Sequence, residues 1–203
     1  MNIYLVRHAP TVSTRHDVYV GVTDDPLSTQ GEKEASLIAS VFEDRKIDAV
    51  LCSNLKRSKN TAQAIAEICK APLIEDSELR EINFGSLEGK DFHYMNKHFP
   101  LLVECWKKSV FKLSFPEGDN FSIFAGRVKR FADKLIRQSY ENVIVVGHGG
   151  FLKLLTCYLM NMERRHWWKF KYATSSISHL VVIDDVASIL TFNDTSHLRI
   201  KER

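Results

Sequence analysis

The sequence predicts an α/β protein, a three-layer α/β/α sandwich with a mostly parallel central sheet. Short apolar runs alternate with amphipathic helical stretches, the pattern of βαβ units. Val143-Ile144-Val145-Val146 is an uninterrupted apolar run, as expected of a strand covered on both faces. Polar residues capable of chemistry follow these runs directly, and open α/β sheets bind ligands beyond the carboxyl ends of their strands. At 203 residues the chain fits one domain, 1–203, with a sizeable core.

Ile3-Tyr4-Leu5-Val6 is short and β-rich, and it gives way to Arg7-His8 before Pro10, which cannot pair in a ladder; the strand therefore ends at His8. Residues 12–30 are polar and turn-rich. Thr29 with Glu32 has capping-box spacing and opens a helix with Ala35, Ile38 and Phe42 on one face. Ala49–Cys52 is a second strand, followed by Ser53 as a helix cap and a helix with Ala62, Ile65 and Cys69 on one stripe. Arg57 then falls in that helix's first turns, and Leu73-Ile74 forms a further short strand.

Residues 77–120 break this rhythm and read as an irregular, partly helical insertion over the sheet, lid-like near 86–120. Its aromatics either contact a ligand or form the insertion's own small core, and the core is the better reading for most of them. Asp119 or Asn120 caps a helix burying Phe124, Val128, Phe131 and Leu135. After Val143–Val146 come Gly147-His148-Gly149-Gly150 and a helix carrying Phe151, Leu154, Leu155 and Tyr158. His179–Ile183 and Ser188–Phe192 form a hairpin through Asp184-Asp185.

The net charge of +3 is not gathered into a run, so nucleic-acid binding has no compositional support, while an anionic small molecule would suit the slight positive excess. Cys52, Cys69, Cys105 and Cys157 lack metal-ligand or redox spacing and are expected to be reduced. No amino-terminal signal pattern is present, and no apolar run approaches the ~20 residues of a membrane span. The expectation is a soluble, cytoplasmic protein.

His8 and His148 each follow a strand, and a third strand feeds the helix bearing Arg57. If the strands are parallel neighbours, Arg7, His8, Arg57 and His148 share one crevice. There Gly149 and Gly150 offer amides at a helix start. Arginines supply forked, charge-assisted hydrogen bonds to phosphate oxygens. Zinc would need three or four ligands and would repel both arginines, so phosphate is favoured over a metal. A histidine facing phosphate without a metal can be the nucleophile. Glu81 is the best-placed proton donor, with Glu88 a competitor. Thr11 fits either a phosphate contact or turn chemistry. His16, His93, His98, His166, His179 and His197 read as surface or structural. Asp24 and Asp25 shape the first loop, and Trp167 and Trp168 pack the carboxyl-terminal helix.

Taken in order, four motifs resemble the histidine phosphatase superfamily, also called phosphoglycerate mutase-like. They are Leu5-Val6-Arg7-His8, Ser53-x-Leu55-x-Arg57-Ser58-x-x-Thr61-Ala62, Leu79-x-Glu81-x-x-x-Gly85-x-x-Glu88-Gly89 and Val145-Val146-Gly147-His148-Gly149-Gly150. The likeness spans nearly the whole chain. It implies His8 as phosphorylated nucleophile, Arg7, Arg57 and His148 as binders of the phosphoryl oxygens, Glu81 as the acid–base group, and no metal or organic cofactor. Ala9 replaces a frequent glycine, Thr14 an asparagine that touches phosphate in several relatives, and Lys153 a frequent arginine. Substrate-binding candidates are therefore Arg7, Arg57, His148, Gly149, Thr11 and Thr14.

Within the superfamily the chain is most similar to the α-ribazole phosphatases of cobalamin biosynthesis, through Arg7-His8-Ala9-Pro10, Gly21-x-Thr23-Asp24-x-Pro26-Leu27, Trp168-x-Phe170 and Ser175–Ser178. That implies hydrolysis of α-ribazole 5′-phosphate, a small phosphorylated metabolite. The alternatives are a phosphoglycerate mutase, a broad sugar-phosphate phosphatase, and an inactive phosphate-binding regulator. The oligomeric state stays open, with a homodimer as one option.

Overall fold

The structure, a computed structural model, describes residues 1–13 and 18–199. In chain order the main elements are β1 (Asn2–Arg7), α1 (Thr29–Ser40), β2 (Ala49–Cys52), α2 (Lys56–Cys69), β3 (Leu73–Glu75), α3 (Phe92–His98), α4 (Pro100–Lys108), α5 (Phe121–Ile136), β4 (Asn142–Gly147), α6 (Gly149–Leu159), β5 (Ile177–Ile183) and β6 (Val186–Asp194). The sheet has six strands in the order β3-β2-β4-β1-β5-β6. β3, β2, β4 and β1 run parallel, while β5 and β6 are antiparallel additions, so the sheet is mostly parallel as expected.

The side-chain period of two along each strand divides the core. Ile3, Leu5, Leu51, Val143 and Val145 face one layer with Phe124, Val128, Phe131 and Leu154. Tyr4, Val6, Val50, Ile144 and Val146 face the other with Ile38, Phe42 and Ile65. Both faces of the central strands are therefore covered, which is why they read as continuous apolar runs. At the hairpin end Asp184 and Asp185 both take positive φ, 47° and 63°, as a tight antiparallel turn requires and as Asp tolerates.

Three local expectations need correction. Ser28, not Thr29, caps α1: its hydroxyl accepts from the Gly31 amide at 3.0 Å. A Cβ on Gly31 would lie 2.0 Å from the Pro10 carbonyl oxygen, so the helix start is pressed against the loop after β1. Phe42 lies just past the end of α1 but is buried as expected. Ser53 does not cap α2, which begins at Lys56; Asp24, from the loop after β1, accepts from the Lys56 amide at 2.6 Å instead. Asn120 does cap α5, accepting from Ser122 at 2.8 Å.

The aromatics of residues 77–120 do not form a core of their own. Leu87, Met95, Val103, Val110, Leu113 and Phe115 are buried in the same cluster as Ile3, Leu5 and Phe121. The segment thus buries its apolar side chains in the main core rather than in one of its own. Among the described residues no helix is long and apolar enough to cross a membrane, and the four cysteines are free.

Candidate active site

Register sets the site. Arg7 at the end of β1 pairs with Gly147 at the end of β4, and Val146 beside it pairs with Cys52 at the end of β2. Three parallel strands therefore finish level, and the residue after each of two of them is a histidine. The His8 and His148 rings lie 5.1 Å apart, and both are buried. From β2 the chain turns through Ser53–Leu55 into α2, placing buried Arg57 as its second residue. Thr61 ties the two sides: its hydroxyl accepts from the Ala9 amide at 3.1 Å and donates to the Arg57 carbonyl at 2.8 Å.

The His8 Nδ1 is 2.8 Å from the Ala9 carbonyl oxygen. A carbonyl can only accept, so Nδ1 carries the proton and a neutral ring keeps its lone pair on Nε2. Burial, then the charges of Arg57 and Arg7, hold His8 well below the ordinary histidine value of 6.5. His148 is lowered in the same way by burial, with Arg57 the largest charge acting on it. Among the described residues neither ring nitrogen of His148 has a hydrogen-bond partner.

Among the described residues both guanidiniums are held by backbone carbonyls. Arg7 Nη1 donates to the Tyr172 oxygen at 2.6 Å. Arg57 Nη1 and Nη2 donate to the Thr23 and Gly21 oxygens, each at 2.6 Å. The Nε of each arginine is buried without a partner among the described residues. Burial lowers both arginines' affinity for their proton, and the nearby Glu81 charge opposes that shift. Two buried cations and two neutral imidazoles with open nitrogens favour an anion rich in oxygen acceptors.

Glu81 is buried at the start of α6. Its carboxylate accepts from the Gly150, Phe151 and Ile82 amides at 2.7, 3.0 and 3.1 Å. The Gly150 amide, expected to be open to a ligand anion, is therefore engaged by the protein's own carboxylate. Gly149 lies against Arg7, where a Cβ would sit 3.6 Å from the guanidinium carbon. Glu88, the competing acid, spends both oxygens on residues 21–23 and Phe84. Thr11 is fully buried and bridges to Leu27. Thr14 and His16 lie outside the described residues.

Beside Glu81 is a cavity of about 200 Å³ walled by Tyr19, Phe84, Trp106, Phe115 and Trp167, with Lys153 at its margin. Trp167 packs against α6 as expected, 5.5 Å from the Lys153 ammonium and in one buried cluster with Leu154; it also stacks on Trp168 and lies 5.0 Å from the Phe121 ring. A larger cleft, about 970 Å³, lies by Met1, Tyr140 and Asp184 at the other end of the strands and contains none of the candidate residues. The backbone acceptors Gly21, Thr23 and Tyr172 were not legible in the sequence, because a carbonyl is common to every residue. Among the described residues, no group of three or more His, Cys, Asp or Glu is placed to hold a metal ion.

A family model described as "Histidine phosphatase superfamily (branch 1)" matches residues 3–195. The adenosylcobalamin/alpha-ribazole phosphatase of Escherichia coli (strain K12) is 27% identical over 95% of this chain and 96% of its own. Phosphoserine phosphatase 1 of Hydrogenobacter thermophilus is 28% identical over 98% of this chain and 94% of its own. The crystal structure of the alpha-ribazole phosphatase from Shigella flexneri has a TM-score of 0.86 and 28% identity, covering 96% of each chain.

Proposed function

The chain belongs to the histidine phosphatase superfamily and is a hydrolase of phosphate monoesters, and on that premise we propose a two-step mechanism through a phosphohistidine at His8. Arg7, Arg57 and His148 hold the phosphoryl oxygens. The His8 Nε2 lone pair attacks phosphorus, and the bond from phosphorus to the ester oxygen breaks. The departing oxygen takes a proton from the Glu81 carboxyl. Water then attacks the phosphoryl group and gives a proton to the Glu81 carboxylate. The N–P bond breaks with its electrons returning to His8, and inorganic phosphate leaves. The protein's share of the catalysis is positioning and charge stabilisation.

The observation that carries this reading is the tautomer of His8, fixed by the Ala9 carbonyl, beside two buried guanidiniums whose hydrogen bonds among the described residues go to backbone carbonyls. Its chemistry needs no metal. An inactive phosphate-binding regulator would have no use for a freed Nε2 lone pair, and the intact set of five groups counts against it.

For the substrate we favour α-ribazole 5′-phosphate, cleaved to α-ribazole in nucleotide-loop assembly of cobalamin. The likeness to proteins named for that activity supports it, as does an aromatic-walled cavity suited to a planar base. The segment near 86–120 then serves as a lid-like cover over the leaving group, and the reaction belongs in the cytoplasm. The Lys153 ammonium at the cavity margin favours one second reading, a leaving group bearing a carboxylate such as phosphoserine or 3-phosphoglycerate.

A panel of α-ribazole 5′-phosphate, phosphoserine, 3-phosphoglycerate and p-nitrophenyl phosphate separates them without added metal. We expect α-ribazole phosphate to lead in kcat/KM by about a hundredfold, about 2.7 kcal/mol of transition-state discrimination. A lead for either carboxylate substrate would move the assignment to the second reading.

A further inference from the structure

Glu88 carries no role in the chemistry described above, yet its carboxylate is among the most heavily hydrogen-bonded groups in the molecule. The Gly21 amide lies 3.1 Å from each of its oxygens. The Val22 and Thr23 amides donate to it at 3.1 and 3.2 Å. The Thr23 hydroxyl donates at 2.6 Å, and the Phe84 amide at 3.0 Å. Three successive amides of one loop thus turn toward one anion.

The carbonyls of that loop serve Arg57. Gly21 and Thr23 accept from its two terminal nitrogens at 2.6 Å each. They are the only hydrogen bonds to this guanidinium among the described residues, and its Nε has no partner. An arginine has five N–H donors. Two are used here, leaving Nε–H and one hydrogen on each terminal nitrogen for phosphate. Residue 21 must be glycine for the loop to approach so closely: a Cβ there would sit 2.0 Å from the Ile82 oxygen and 2.5 Å from a Glu88 oxygen.

We propose that Glu88 is a positioning residue, which sets the aim of Arg57 by clamping the amides of residues 21–23 and so presenting the Gly21 and Thr23 carbonyls. The inference rests on the reading of Arg57 as a phosphate binder. The Glu88 charge also acts on Arg57 directly, after that of Glu81 and ahead of those of Asp25 and Asp24. Glu88→Gln removes the charge and turns one acceptor into a donor that faces amide N–H groups.

The test is a double-mutant cycle of Glu88→Gln and Arg57→Ala, read by kinetics on p-nitrophenyl phosphate and by inhibition with inorganic phosphate. In the parent, Glu88→Gln should lower kcat/KM by about tenfold to a hundredfold and weaken phosphate inhibition with it. With Arg57→Ala already present, Glu88→Gln should change kcat/KM by less than about twofold. Thr23→Val, which deletes only the hydroxyl bond to Glu88, should act in the same direction and less strongly. If Glu88→Gln does not fold, the same cycle run with Thr23→Val decides.

The inference is overturned if the two losses multiply in the double variant, or if a folded Glu88→Gln matches the parent in both readouts. Full activity in Arg57→Ala would instead remove the phosphate-binding reading of Arg57, and this inference with it.

Discussion

A histidine serves as a nucleophile only while neutral, and the surroundings of His8 keep it so. Burial disfavours its charged form, and Arg57 and Arg7 add repulsion. His148 is subject to the same effects. This has a consequence for stability. In the unfolded chain both rings titrate near the ordinary value of 6.5, whereas in the folded protein they bind a proton only at lower pH. As pH falls through about 6.5 the unfolded state takes up protons that the folded state refuses, so folding stability must fall with acidification. Denaturant unfolding at about pH 7.5 and about pH 5.5 measures this difference. We expect His148→Ala to shrink it relative to the parent. An undiminished difference in that variant would mean that His148 is not held neutral. At this scale the gathering of His8, His148, Arg7, Arg57 and Glu81 was legible, because each stands in a chemically distinctive run beside a strand or helix end. The carbonyls that aim the arginines were not, since backbone acceptors leave no mark on a sequence.

At the scale of elements, the start of α6 does two jobs. Its first turn follows His148, and its amides at Gly150 and Phe151 grip the Glu81 carboxylate. Amides at a helix start attract an anion, and here that anion belongs to the protein itself. A Cβ on Gly150 would lie 2.7 Å from a Glu81 oxygen, so Gly150→Ala must push the carboxyl away. Alanine favours a helix, so folding should be little affected. We expect kcat to fall by about tenfold or more with the melting temperature nearly unchanged; an unchanged kcat would separate Glu81 from proton transfer. Periodicity revealed the strands and helices themselves. Their ends were less legible, because partners far along the chain settled them. Asp24 caps α2 from the loop after β1, and Pro10 presses on the start of α1. The two residues gripped by Glu81 lie 69 and 70 positions away, a contact no local pattern encodes.

Over the whole molecule, one sheet divides two apolar layers, and the level ends of β1, β4 and β2 bring distant motifs to one crevice. The mostly parallel sheet followed from the strand–helix alternation. The expected separate core in residues 77–120 did not materialise, because apolar residues in an irregular segment show no periodicity that says what they pack against. They joined the main core, and Phe84, Trp106 and Phe115 wall the cavity beside Glu81. The fit of that cavity to one leaving group depends on side chains gathered from many elements, which is why substrate is harder to read than mechanism. The central claim is that turnover passes through His8. The most direct measurement is rapid quenching under alkaline conditions during turnover of p-nitrophenyl phosphate, with mass spectrometry locating any acid-labile phosphoryl group. We predict that group on His8 in the parent and its absence, with loss of turnover, in His8→Ala. Turnover that persists in His8→Ala, or a phosphoryl group on another residue, would contradict the account.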